Sequence, residues 1–455
     1  MRVTHDRAVE TLRARLAAQP EGAPIRLAKP TSNLFRFREP PGRDALDVSA
    51  FGDVLHVDPE ARTADVGGMT TYERLVDATL PHGLMPFVVP QLKTITLGGA
   101  VAGLGIESSS FRNGMPHESV LEMEILTGAG EVVLARPDNE HAELFHGFPN
   151  SYGTLGYALR LTIELEPVRP AVAVRHVRFA GSGAAAECAR AIEEICASRS
   201  YLGHGVDFVD GTVFSAGEMY LTLGAFDDHA AGSSDYTGQR IYYRSIRERT
   251  EDRLSTLDYL WRWDTDWFWC SKALGVQNPV VRRLWPKRYL RSDVYRRLVA
   301  FDRRHDLSGR VDRLRKAPAR EPVIQDVEIP VDRLAEFLEF FHSEIGISPV
   351  WLCPVRLREK ENWPLYPMDP DTLYVNVGFW ATVPLAPGER DGEHNRMIEH
   401  KVVELGGHKS LYSTSYFDED EFWTLYNGKT YRELKSSYDP RGRLPDLYDK
   451  CVRNR

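Results

Sequence analysis

The chain has 455 residues, 42% of them hydrophobic and 27% charged, and a net charge of −8. That length exceeds one compact core and predicts two domains, or one domain with a large insertion. The composition excludes disordered and collagen-like chains, and the acidic balance excludes a general nucleic-acid binder.

The opening MRVTHDRAVETLRARLAAQP reads as a charged amphipathic helix without the continuous apolar core of a signal peptide. No window reaches the length of a membrane-spanning helix. VLHVD and TADV read as strands around the turn Asp58-Pro59-Glu60. TTYERLVDATLPHG predicts a helix capped by Thr70 or Thr71, with Tyr72, Leu75, Val76 and Leu80 on its apolar face and Gly83 at its end. After the glycine stretch TLGGAVAGLGIESSSFRNG, VLEMEIL and EVVLA read as a hairpin around Gly128-Ala129-Gly130. HAELFHGF is helix-like, SYGTLG is a turn, and ALRLTIELEP is an alternating strand that closes a mixed α+β domain near Pro167.

From Ala171 the texture changes. VAVRHVRFA predicts a strand and AAAECARAIEEICAS a helix, and residues 236–307 form an aromatic, basic segment. VIQDVEIPVDRLAEFLEFF predicts a strand and a helix, and ISPVWLCPVRL and TLYVNVGFW two buried strands. The five cysteines, Cys188, Cys196, Cys270, Cys353 and Cys451, lack CxxC or CxxH spacing. They argue against a disulfide framework or a metal site and fit a reducing cytoplasm.

The glycine stretch carries the chemistry. Glycines let backbone approach a ligand closely, and consecutive N–H groups form an anion site. Ser108, Ser109, Ser110, Thr94 and Thr96 add short hydroxyls. A Rossmann turn is a poor fit, because Gly114 and Pro116 forbid an unbroken helix after Ser108. A structural loop and a phosphate-bearing ligand both remain open from residue types alone.

The order of these blocks, with GIESSS, GTLG, VIQDVEIPV, PVWLCP and EFWTLYNGKTYRELK, resembles the vanillyl-alcohol-oxidase/p-cresol-methylhydroxylase family, and within it the Δ24-sterol-reductase subgroup. The resemblance runs from about Pro30 to the C-terminus. It implies an α+β fold, with an FAD-binding domain of p-cresol-methylhydroxylase type over 1–168, a cap over 169–408 and a segment returning to the FAD domain over 409–455. It implies FAD held by Lys29, Pro30, Thr31, Ser32 and Asn33 in a first loop. The second group is Thr94, Thr96, Leu97, Gly98, Gly99, Ala100, Gly103, Leu104, Gly105, Ile106, Glu107, Ser108, Ser109 and Gly114. The first loop, AKPTSN, has no histidine, so the flavin is expected to be non-covalent. The chain shows no membrane segment like that of eukaryotic sterol reductases, and its Arg-, Ala- and Asp-rich composition looks bacterial. The nearer resemblance is therefore to actinobacterial reductases that saturate a 10-methylene fatty acyl chain to the 10-methyl form of tuberculostearate.

That resemblance implies a lipid substrate, a fatty acyl chain free or in phospholipid, NADPH as electron donor and a methyltransferase as partner. Alternatives are a Δ24-sterol reductase, an FAD-dependent alcohol or hydroxy-acid oxidase, and a non-catalytic lipid-binding flavoprotein. An isolated C=C has no carbonyl to stabilise a carbanion, so a positioned acid must supply a proton as hydride arrives. The candidates are Glu107, His408 and Tyr412, with Glu107 favoured more as a hydrogen-bond partner that orders the serines. Trp261, Trp267, Trp269, Gln325, Trp351 and Cys353 are candidate substrate-lining residues. Trp261, Trp263, Trp267, Phe268 and Trp269 read either as the apolar wall of a lipid tunnel or as core. Arg282, Arg283, Lys287, Arg288 and Arg291 read either as headgroup contacts or as solvated charges. The expected location is cytoplasmic, with peripheral membrane contact.

Overall fold

The computed structural model describes residues 2–29, 42, 44–306, 309–310, 314 and 318–454. After helix α1 (Arg2–Ala17), the first sheet contains β1 (Val54–Asp58) and β2 (Thr63–Gly67). The carboxylate of Asp58 closes the turn between them by accepting from the amides of Glu60 and Ala61 at 3.0 and 2.9 Å. Helix α2 (Tyr72–Thr79) starts where the Thr71 hydroxyl accepts from the Arg74 amide, and it buries Tyr72, Leu75 and Val76. Then come β3 (Leu84–Pro86), α3 (Leu97–Gly103), α4 (Ser110–Asn113), β4 (Val120–Leu126), β5 (Val132–Ala135), α5 (Ala142–Gly147) and β6 (Tyr157–Pro167). The strands lie in the order β1-β2-β6-β4-β5, with β3 paired to β6, and all pairs are antiparallel.

The second sheet is larger. Its elements are β7 (Ala171–Ala180), α6 (Ala184–Ser198), β8 (Phe208–Ser215), β9 (Glu218–Asp227), α7 (Tyr242–Glu248), β10 (Glu251–Ser255) and α8 (Thr256–Leu260). They continue with α9 (Pro279–Leu284), α10 (Ser292–His305), β11 (Arg320–Pro330), α11 (Leu334–Phe340), β12 (Val350–Val355), β13 (Tyr374–Pro384), α12 (Glu393–Glu404) and β14 (His408–Lys409). The order is β10-β7-β9-β8-β12-β13-β11-β14, again antiparallel throughout. Helices α13 (Glu419–Leu425), α14 (Gly428–Tyr438) and α15 (Leu447–Cys451) end the chain. They lie against the first sheet: the Ala129 amide donates to the Tyr438 carbonyl at 2.9 Å, and Lys435 Nζ donates to the Thr154 carbonyl at 2.8 Å.

Strand alternation gives the large sheet two different faces. One carries Val323, Val327, Val350, Leu352, Val375, Val377 and Phe379, which pack with Ile192, Phe337, Ile398 and Val402 of α6, α11 and α12. The other carries Trp351, Cys353 and Trp380 and shares one core with Val66, Leu75, Leu97 and Val101 of β2, α2 and α3. The glycine stretch meets this second face directly, since the Val209 amide donates to the Ser108 carbonyl at 2.8 Å.

Candidate functional site

The glycine stretch is more regular than its composition suggests: LGGAVAG forms α3, capped by Thr96. The helix can lie close to the strand loop before α2 only because both sides are glycine. A Cβ on Gly98 would fall 2.7 Å from the Gly68 carbonyl oxygen. Its first amides are already engaged: Leu97 donates to the Thr70 carbonyl, Gly98 to the Gly68 carbonyl, and Gly99 to the Thr96 hydroxyl. The free backbone lies just after the helix. The amides of Leu104, Gly105 and Ile106 donate to no protein acceptor among the described residues, and all three residues are half-exposed. Leu104 sits at φ +64°, ψ 163°, a conformation strained for leucine, and it turns this run outward.

Around α3 several buried polar atoms lack a partner: Thr70 Oγ1, Asn150 Oδ1, Ser151 Oγ and both ring nitrogens of His117. Thr70, Ser151 and His117 border the helix or the run after it, directly or through a chain neighbour. The Thr70 carbonyl receives the Leu97 amide. Tyr152, the neighbour of Ser151, donates its amide to the Ala102 carbonyl, and Pro116 faces Gly105. Folded chains leave few such groups. Unpartnered amides beside unpartnered hydroxyl, amide and imidazole atoms fit a ligand rich in phosphate and ring nitrogens, such as FAD.

Other expected cofactor residues fall differently. Pro30, Thr31, Ser32 and Asn33 lie outside the described residues, and Lys29 and Thr94 are half-buried. The serine hydroxyls, expected to face the ligand, are engaged within the protein. Ser109 donates to the Phe87 carbonyl at 2.7 Å, Ser110 accepts from the Glu107 amide at 2.9 Å, and Ser108 accepts from the Tyr259 hydroxyl at 3.3 Å. Gly114, at φ +68°, makes room for the Glu118 carboxyl, which accepts from the Met115 amide.

Glu107 serves the same joint. Its carboxyl accepts from the Gln91 amide at 2.8 Å and from the Gln91 side chain, and burial raises its pKa to about 8. A small cavity separates it from Arg262 and Tyr259. Arg262 in turn donates to Asp210 Oδ2 at 3.0 Å. The same oxygen accepts from the indoles of Trp263 and Trp351 at 3.0 and 3.1 Å.

Asp210 belongs to a row of polar side chains that crosses the large sheet on its inner face. The register pairs His176 with Thr222 and Thr222 with Asp210. Beyond the β8–β12 pair, Cys353 lies opposite Asn376, Asn376 opposite Glu328, and Glu328 opposite His408. Asp326, one step along β11 on the same face, lies opposite Gly378, where a Cβ would collide with its carboxyl. Neither amide atom of Asn376 is in a well-aligned hydrogen bond, nor is Asp326 Oδ1, but the Asn376 amide and the Tyr412 hydroxyl both face the Asp326 carboxyl. Burial pushes the Asp326 carboxyl up to about 7, against the opposing pull of Asn376, Tyr412 and the Lys409 charge. Burial likewise raises Glu328 to about 8, although Tyr366 and Ser410 donate to it. The indole of Trp380 donates to the Tyr412 hydroxyl at 2.9 Å. Phe268 packs 4.3 Å and Trp269 5.5 Å from the Trp380 ring, so aromatics wall this corner.

The structure thus brings Tyr412, Trp269, Trp351 and Cys353 to one face, together with Asp326 and Asn376. Gln325 is the exception. It points to the opposite, helix-covered face and donates to Asn395 of α12 at 2.8 Å. His408 is held by burial at a pKa of about 4, so at neutral pH its ring is uncharged and does not act as an imidazolium acid. The tryptophans 261, 263, 267 and 269 are all buried, which suits both a core and the wall of an interior tunnel. Arg282 is corrected as a headgroup contact: it is 2% exposed and forms a two-pronged pair with Asp266 at 2.6 and 2.9 Å. Arg291 pairs in the same way with Glu73 at 3.0 and 2.8 Å.

In the sequence Gln325-Asp326 reads as a polar pair opening a strand, either lining a cavity or capping and turning the chain, whereas Asn376 does not stand out. The signal for Asp326 was strict alternation: Val323, Gln325 and Val327 share one face, so Asp326 and Glu328 share the other. Asn376 had no comparable signal inside an apolar strand.

Residues 8–136 match the model of a family described as FAD binding domain. The chain is 26% identical over 441 residues to the Δ(24)-sterol reductase of Arabidopsis thaliana, covering 90% of this chain and 77% of that protein. It is 26% identical over 436 residues to the Δ(24)-sterol reductase of Homo sapiens, covering 90% and 76%. Cytokinin dehydrogenase 10 of Oryza sativa subsp. japonica is 32% identical over 247 residues, 48% of this chain and 44% of that protein. No described helix is long and apolar enough to cross a membrane. The chain is an FAD-dependent oxidoreductase with an FAD-binding domain in an α+β fold.

Proposed function

We propose that the protein reduces an isolated C=C bond in a lipid, with FAD bound non-covalently and NADPH as electron donor. The substrate we favour is the 10-methylene group of a fatty acyl chain, free or esterified in phospholipid, supplied by a methyltransferase. One observation carries the reading: a half-buried acid, Asp326, whose Oδ1 lacks a well-aligned donor, set beside the Asn376 amide and the Tyr412 hydroxyl under an aromatic wall. The similarity to Δ(24)-sterol reductases along nine-tenths of the chain supports it.

Bound FAD supplies hydride in such chemistry. The chain's own contribution is the proton. At neutral pH a carboxyl with a pKa of about 7 is partly protonated, and its O–H can be directed at an alkene carbon. Protonation at the terminal carbon of a methylene branch leaves a tertiary cation, the least costly one. A Δ24 alkene meets the same condition, so the aromatic wall must choose between substrates by shape. Trp351, Trp380 and Phe268 supply apolar surface and exclude water from the cation. Leu104 to Ile106, with Thr70, Asn150, Ser151 and His117, would hold the cofactor.

The test is an anaerobic titration with NADPH, followed by the flavin's visible absorbance. Bleaching by NADPH and recovery on adding a 10-methylene phospholipid is the expected result. Recovery only with a Δ24 sterol would move the substrate to the sterol class. A flavin that ignores NADPH but reacts with an alcohol and oxygen would make the protein an oxidase.

A further inference from the structure

We propose that the segment from Val280 to His305 is a docking surface for a bilayer bearing anionic headgroups. The proposal rests on surface composition and does not depend on which reaction the flavin serves. Single exposed apolar residues are normal, but a concentration of them marks an interaction site. Within this segment Val280 is 69% exposed, Leu284 79% and Phe301 56%, with Val281, Tyr289 and Leu298 also exposed. Apart from Leu314 just beyond it, the other large exposed apolar side chains among the described residues are Leu121, Leu202, Leu257 and Met397, which are scattered.

The two helices present these residues at helical spacing. On α9, Val280, Arg283 and Leu284 share a face. On α10, Arg297, Leu298, Phe301, Arg304 and His305 share one, and all of these are exposed. The Trp285 ring lies 6.4 Å from that of Tyr295, so the helices are neighbours. Trp285 and Tyr289 add aromatics with a polar edge, the type found at the headgroup level.

Charge selects the partner. The segment holds nine Lys and Arg residues against two acids, Asp293 and Asp302, in a chain whose net charge is −8. Arg282 and Arg291 are held by Asp266 and Glu73. Arg283, Arg288 and Arg304 are exposed beside the apolar side chains, as are Lys287 and Arg297, which pair at the surface with Asp235 and Asp293. Apolar side chains that enter the acyl boundary, with cations at the phosphates, are the chemistry of an interfacial helix. A protein partner would be met by the apolar residues alone; the flanking cations favour an anionic lipid surface.

The test is flotation of the purified full-length holoprotein with vesicles of phosphatidylcholine, with and without phosphatidylglycerol. Binding should require phosphatidylglycerol and weaken as salt rises. Leu284→Asp together with Phe301→Asp should abolish it while flavin content and thermal unfolding stay unchanged, since both side chains are exposed. Arg283→Gln and Arg288→Gln should each weaken binding about fivefold. No binding to either vesicle, or binding indifferent to these substitutions, would overturn the proposal. So would a wild-type dimer in light scattering that the Leu284→Asp, Phe301→Asp variant converts to monomer with vesicle binding unaltered.

Discussion

The two faces of the eight-stranded sheet use the same strands and reach the same depth, yet they differ in chemistry. The outer face is mostly Val, Leu and Phe under α6, α11 and α12, with Glu321 and Gln325 of β11 the polar exceptions, both bonded to α12. The inner face carries His176, Thr222, Asp210, Asn376, Glu328 and Asp326 across its middle. The outer face is what folding alone asks for. The inner face costs stability, because a buried polar atom without a partner is worth about 1–3 kcal/mol of lost hydration. Thr212 Oγ1, Asp210 Oδ1, Asp326 Oδ1 and both Asn376 amide atoms lack a well-aligned partner. Such departures from packing logic concentrate where a fold serves a ligand. Here they lie on the side that meets the glycine stretch.

The largest expected effect that can break this comparison is on the inner face. Asp326→Asn keeps the shape and removes the acid, so turnover should fall by about 10²–10⁴ with flavin content retained. Single-turnover kinetics with reduced enzyme measure it, and unaltered turnover would make the polar row structural. Gly105→Val should give folded protein with little flavin. The residue is half-exposed, but a Cβ there lies 3.2 Å from Pro116 and 3.4 Å from Pro90, and larger atoms would cover the open amides. Flavin absorbance per folded chain reads the result. On the outer face, Phe379→Ala should cost about 3–5 kcal/mol in denaturant unfolding, with turnover per folded molecule unaltered.

The sequence revealed these faces unevenly. Strands β1, β2, β4, β6 and β7 and helices α2 and α6 were readable because local period, caps and turn residues agree there. Helix α3 was not, since Gly98, Gly99 and Gly103 oppose helix formation on their own. Contact with Gly68 and the Thr96 cap supply what propensity lacks. Arg282 looked like surface charge because its partner, Asp266, lies 16 residues back in the same aromatic run, where no local rule pairs them. The serines of GIESSS looked like ligand donors because their true acceptors and donors, Phe87 and Tyr259, come from distant segments. Side-chain type was legible; side-chain direction needed the fold.

A smaller effect follows from protonation. The acid form of Asp326 is the useful one, and burial raises its pKa to about 7. The rate with reduced enzyme should therefore be level below that pH and fall about tenfold for each unit above it. The stability linkage has the same origin. The folded state binds this proton more tightly than the unfolded chain, with its carboxyl near 3.8. Asp326's contribution to stability thus declines as pH rises from about 4 to 7 and is constant beyond. Asp326→Asn should remove both trends. If the rate profile instead kept its limb near 7 in that variant, the proton would come from elsewhere on the face, with Glu328 or Glu107 next in line.

The smallest effect separates the faces by sign. Asn376 is buried with neither amide atom in a well-aligned hydrogen bond, so the Asp326 carboxyl it faces offsets only part of its lost hydration. Asn376→Leu replaces the amide by an apolar group of similar shape beside Cys353 and Trp351. It should raise unfolding stability by about 1 kcal/mol. On the outer face no substitution to a smaller or more polar residue has that outcome. If Asn376 orients substrate or cofactor, the same variant should lose turnover as it gains stability, a trade expected where a fold keeps a strained site for use. A loss of stability would mean that Asn376 is held by protein contacts after all, and the inner row would then be a packing feature like the outer one.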